Sequence, residues 1–150
     1  MDGTDRMTPL MGDASTDTTP VAFSQFRDAL VFRDLADGAL AGLAAISTLV
    51  TVPEDTMLCR QGTPADRLLV VLEGQVTLEN ATQGGASAVV EVVQPGGHLM
   101  LSAVLSGLPS LMSARTVTPA RLIGVEATGL RTLLHREISL ASALLRAEAL

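Results

Sequence analysis

The sequence predicts a mainly β domain, a sandwich or roll of short strands with helices flanking it at both ends. Three observations carry this. From Thr48 onward, short β-branched runs recur between turn signals at close spacing, the pattern of strands that close into a double-layered sheet. Before Thr48 and after Val125, apolar residues return every three or four positions, which is the period of a helix. At 150 residues the chain suits a single domain with a core large enough to fold unaided.

The opening stretch is rich in Asp, Thr, Gly and Pro and has no sustained period, so residues 1–22 are expected to form a mobile tail and residues 23–150 the folded domain. Phe23, Phe26 and Leu30 are spaced for one helical face, and Asp37 is placed to cap a second, Ala-rich helix carrying Leu40, Leu43 and Ile46. Strands are predicted over Thr48–Val52, Met57–Arg60, Leu68–Leu72, Gln75–Glu79 and Ala88–Val93, with two more around Arg115–Thr118 and Ala120–Val125. Thr82-Gln83-Gly84-Gly85-Ala86 supplies the glycines that a positive-φ hairpin connection requires. Beyond Val125, Leu130, Leu133 and Leu134 share a helical face, and Ile138, Leu140, Leu144 and Leu145 extend the pattern toward the end. No internal repeat is visible.

Composition narrows the function classes. Aromatic residues make up 2% of a chain that is 47% hydrophobic, so the core must be aliphatic. All ten basic residues are Arg, and the net charge is −6, a poor match to a polyanion. Four Asp against one Arg before Ala22 give −3, leaving nine Arg against twelve acids and again −3; no basic face is hidden by an acidic tail. A lone cysteine, Cys59, excludes an internal disulfide and suits a reducing compartment. There is no charged-then-apolar leader and no apolar run near ~18 residues, so a cytoplasmic, soluble protein without membrane contact is expected. No nucleophile, base and orienting acid fall into a motif spacing, so an enzyme is not expected.

The motifs are more specific in combination than singly. Pro53-Glu54-Asp55-Thr56 precedes a strand, Arg60-Gln61-Gly62-Thr63-Pro64-Ala65-Asp66 leads into an apolar strand, and Leu72-Glu73-Gly74-Gln75-Val76 joins two strands. Pro95-Gly96-Gly97-His98-Leu99-Met100-Leu101-Ser102 then precedes an apolar run to Ser113-Ala114-Arg115-Thr116-Val117. Together these resemble the cyclic-nucleotide-binding effector domain of Crp/Fnr-type transcription regulators, over roughly Phe23 to the C-terminus. The resemblance implies an eight-stranded jelly-roll-like double sheet (a double-stranded β-helix) with flanking helices, and a non-enzymatic sensory or regulatory role. The alternative is a structural or protein-interaction module that kept the roll without a ligand. In the family a long last helix forms the dimer seam and leads to a DNA-binding helix-turn-helix. This chain stops at Leu150, so a truncated helix, no binding of nucleic acid by this chain alone, and at most a weak homodimer or a protein partner are expected.

A cyclic nucleotide offers a phosphate and a ribose hydroxyl, and the family holds them with backbone donors, a Glu and an Arg through charge-assisted bonds. Carried over by resemblance, the Gly-Glu pair falls on Met100-Leu101, and the Arg falls on Ser110, Leu111 or Met112, depending on register. None has the required chemistry. The candidate cassette is therefore Gly97, His98, Leu99, Met100, Leu101 and Ser102, with Ser110, Leu111, Met112, Ser113 and Ala114 facing it. Arg115 is the nearest cation. The apolar side chains of Met100, Leu101, Val104, Leu105, Leu108, Leu111 and Met112 leave three readings open: a pocket closed by its own side chains, a pocket for an apolar or neutral effector, or a nucleotide held by unusual contacts.

Gly62 and Gly74 match family glycines at turns. Glu73 is expected in solvent, and Asp66 and Arg67 are expected to pair at the surface. Relatives with haem or iron–sulfur groups make Cys59, His98 and His135 worth testing as ligands, but a cluster needs several cysteines. Cys59 reads as a small buried thiol in a strand and His98 as a partly buried filler. No metal or other cofactor is expected.

Overall fold

A computed structural model describes residues 15–17, 20–82 and 84–149. Its strands are β1 (Ser15–Asp17), β2 (Ser47–Val52), β3 (Met57–Cys59), β4 (Arg67–Glu73), β5 (Val76–Ala81), β6 (Ser87–Val93), β7 (His98–Leu99), β8 (Ser113–Thr116) and β9 (Ala120–Glu126). They form two antiparallel sheets, one ordered β1-β2-β9-β4-β7 and the other β3-β8-β5-β6. The helices are α1 (Phe23–Arg27), α2 (Asp37–Ala45), α3 (Leu101–Ser106), α4 (Ala127–Leu134) and α5 (Ile138–Ala149), with a 3₁₀ turn at Leu30–Phe32. The mainly β double-sheet roll with flanking helices is thus present.

The middle of the five-stranded sheet carries apolar side chains on both faces because it separates two cores. Leu49, Leu68, Val70, Ile123 and Val125 pack against the helices, with Phe26, Phe32, Leu40, Leu43, Leu130, Leu140 and Leu144. Val50, Val52, Leu69, Val71 and Leu122, one position along in the same strands, pack against Leu58, Val76, Leu78, Val93 and Ala114 of the second sheet. Alternation along a pleated strand makes this division automatic.

Several expectations need correction. Ser15–Asp17, assigned to the tail, is a strand paired with Leu49–Thr51; a strand needs only backbone partners, so a polar Ser-Thr-Asp triplet can add to a sheet edge. The tail expectation for residues 1–14, 18 and 19 lies outside the described residues. Helix α1 ends at Arg27, so the period does not reach Leu30, which is 68% exposed. Phe32 takes the core position instead, edge-to-face with Phe26 at 5.9 Å. Ala36 is the N-cap of α2, and Asp37 lies inside the first turn, paired with Arg27 at 2.8 Å. In α5, Leu140 and Leu144 are buried in the domain's own core while Ile138 and Leu145 are exposed, so the helical pattern over these four residues is not one face. Among the described residues Arg67 has no surface pair; its side chain lies under Gly124 and its Nη1 is buried without a hydrogen-bond partner there. Glu73 is 63% exposed as expected, but it meets Arg121 at 3.0 Å.

Candidate ligand site

The cassette segment begins at a pinned turn. Gly96 donates to the Val71 carbonyl at 2.8 Å, Val71 donates to Gly97 at 2.9 Å, and Leu30 donates to Gly96 at 3.0 Å. Gly96 has φ +94°, which glycine adopts without strain. His98 and Leu99 then pair with Val70 and Leu69 as β7, a strand too short for any sequence period. Met100 follows at φ +74° as the N-cap of α3, an uncommon conformation for a residue with a side chain.

This backbone turn splits the cassette's side chains between the two cores. Leu101 and Val104 are buried on the helix side, with Leu105 packed beside them. Leu99, Met100, Met112 and Ala114 lie on the inter-sheet side. Leu108 and Leu111 are 65% and 82% exposed, so the apolar set does not converge on one pocket. Ser102 is exposed, Gly97, His98 and Ser113 are half-buried, and Ser110 is buried. Ser110 Oγ donates to the Met112 carbonyl at 2.6 Å and lies 3.6 Å from Met100 Sδ; Ser113 Oγ accepts from Gln61 N at 2.9 Å. Of the three register choices for the Arg slot, position 110 faces inward and position 111 faces solvent.

Beside Met100 the remaining space is a cleft of about 10 Å³ among Leu58, Cys59, Ala65, Asp66, Arg67 and Leu69. That is on the order of one water, against ~300 Å³ for a small ligand pocket. The cation in its wall is Arg67, which motif reading had left at the surface. Arg115, the expected nearest cation, is held by Asp55 at 3.0 Å and Glu79 at 3.5 Å. Burial pushes the Cys59 thiol above its ordinary 9.0, partly offset by the side chains of Ser110 and Thr63. Among the described residues no group of three or more His, Cys, Asp or Glu side chains could hold a metal ion, and no helix is long and apolar enough to cross a membrane.

A second space is far larger. A groove of about 850 Å³ lies between the Leu30–Leu35 segment, the end of β6 with its following turn, and one face of α5. None of the cassette's apolar side chains lines it; Gly97 and His98 are the cassette residues it shares.

Residues 49–137 match the family model described as "Cyclic nucleotide-binding domain". Over 116 residues the chain is 23% identical to a CRP-like cAMP-activated global transcriptional regulator of Mycobacterium tuberculosis, covering 77% of this chain and 52% of that protein; it spans about half the length of the curated relative. The N-terminal domain of a transcriptional regulator from Streptomyces coelicolor superposes with a TM-score of 0.69 at 30% identity, covering 83% of this chain and 87% of that one. The sensor domain of the transcriptional regulator DNR from Pseudomonas aeruginosa shares the fold, with a TM-score of 0.73 at 24% identity over 84% of this chain and 85% of that one.

Proposed function

Because the chain belongs to the cyclic nucleotide-binding domain family, we propose that it is a non-enzymatic sensory domain of the Crp/Fnr type that does not hold cAMP or cGMP in the family's usual way. One observation carries this reading. The position carried over for the acid holds Leu101, packed into the helix-side core, and the three registers for the guanidinium hold Ser110, Leu111 and Met112, of which the buried Ser110 is bonded to the Met112 carbonyl. Each lost charge-assisted bond removes ~1.5–3 kcal/mol, and two remove ~3–6 kcal/mol, roughly 10²–10⁴ in affinity. The small cleft beside Met100 is consistent with that loss.

Calorimetry with cAMP and cGMP on the natural domain tests this. No saturable heat at micromolar nucleotide is expected, and micromolar binding would overturn the reading. A Ser110→Arg variant restores one of the two missing groups at the inward-facing position and should gain weak affinity before any variant at position 111.

The second reading, an interaction module without a ligand, is favoured by β6. It is a sheet-edge strand with Val89, Val90 and Val92 all exposed, and such edges are docking templates. A thermal-shift screen of nucleotides and metabolites separates the two, because a ligand at a hundred times its dissociation constant adds ~2.7 kcal/mol. With a net charge of −6, the domain alone is expected to leave DNA unretained in a low-salt mobility shift.

A further inference from the structure

The groove over α5 is open because of the residues that face it. Ser139, Ser142, Ala143 and Arg146 follow one another at helical spacing along one stripe of α5, and the first three are small. Leu140 and Leu144 on the adjoining stripe anchor the helix in the core. The helix therefore stands firm while its groove-facing side leaves space unfilled. The opposite wall is also fixed, since the Pro95–Gly97 turn is bonded both to Leu30 and to Val71 of β4. A wall tied down on both sides does not collapse inward, so the space is pre-formed.

Its chemistry is layered. The floor is made by Leu35, Val93 and Ala143, which are 5%, 4% and 7% exposed, and Leu30 and Val92 flank it. The carboxylates and the guanidinium lie at the rim, where Asp34, Glu91 and Arg146 are all exposed and come from three different walls, while Gln94 and the half-buried His98 add polar groups beside the turn. Two carboxylates and one guanidinium give neither an anion nor a cation a consistent partner. An uncharged hydrocarbon body reaches the floor without desolvating an ion. A volume of about 850 Å³ lies in the ~300–1,000 Å³ range of small-molecule pockets.

We infer that this groove is a binding site for an uncharged, predominantly apolar small molecule, separate from the cassette. The inference does not depend on whether the cassette takes a nucleotide. Titration of the whole chain with the uncharged fluorophore N-phenyl-1-naphthylamine is expected to give saturable, one-to-one binding. Ser139→Phe with Ser142→Phe fills the groove and should weaken binding at least tenfold. Leu30→Asp, at a solvent-exposed position, should weaken it comparably without touching the core, which keeps the test decisive if the double variant misfolds. Leu111→Glu, exposed on the cassette side, should leave binding unchanged.

Decanol should displace the fluorophore at least as well as decanoate or decylamine. Absence of saturable binding, insensitivity to both groove changes, or equal sensitivity to Leu111→Glu would overturn the site. Displacement by the charged amphiphiles alone would overturn the ligand class. Loss of fluorophore affinity in step with dimer formation on sedimentation would show that a second copy, not a small molecule, fills the groove.

Discussion

Arg131 donates from Nη1 to the main-chain carbonyl of Val104 at 2.7 Å, tying α4 to the last turn of the cassette helix α3. That carbonyl is one of those a short helix leaves without an internal partner, and a cation there also favours the helix dipole. Arg131→Met keeps the aliphatic stem and removes the donor. It should lower stability by about 1–2 kcal/mol, and amide exchange should speed up first over 104–107.

Gly74 turns the chain from β4 into β5 at φ +92°, and a Cβ there would lie 2.5 Å from the Pro119 carbonyl oxygen. Both the backbone conformation and the space require glycine. Gly74→Ala should cost at least ~2 kcal/mol by urea denaturation, whereas Gly85→Ala, at φ +85° in open space, should cost about 1 kcal/mol from the backbone alone.

Thr116 is buried and joins two segments: its Oγ1 donates to the Pro53 carbonyl and accepts from Thr56 N, both at 2.8 Å. Thr116→Val has nearly the same shape but strands both partners, so a loss of ~1–3 kcal/mol is expected. Arg67→Met works in the opposite direction. It removes a buried, unpartnered Nη1 and keeps the stem over Gly124, so its unfolding midpoint should hold or rise.

Cys59 makes alkaline pH informative. The unfolded chain releases the thiol proton near 9.0, while the buried thiol keeps it to higher pH. This contribution to stability is fully present below that value and is lost as pH rises through the folded pKa. The chain has no Lys and no Tyr, so few other groups titrate in this range. Urea midpoints measured across it should fall for the natural protein and fall less for Cys59→Ala.

Strand positions were legible because short β-branched runs recur between turn signals, and each predicted run from Thr48 to Val125 overlaps a strand. β1 and β7 were not, since Ser-Thr-Asp carries no apolar signal and His98–Leu99 is too short to show any alternation. The departures from the cassette were legible only through the motifs around Met100 and Leu101. Arg67 was not, because its inward path depends on the bare backbone of Gly124 across the sheet. The groove was invisible for a related reason: Leu35, Val93 and Ala143 are neighbours only after three distant segments meet.

Two apolar faces on one sheet remove a common safeguard of β structure. Where one face is wet, sliding a strand by one residue exposes its hydrophobic set and is strongly disfavoured. In β4, a slide would exchange Leu68 and Val70 for Leu69 and Val71, one greasy set for another. Polarity cannot choose between the two alignments. The choice falls to the strand ends and to an irregular pairing: Gly74 locked against Pro119, and the shift between Val71 and Glu73 opposite Leu122 and Arg121. Substitutions at those few points should yield misaligned yet fully apolar sheets, a mode of failure that counts of buried area would not detect.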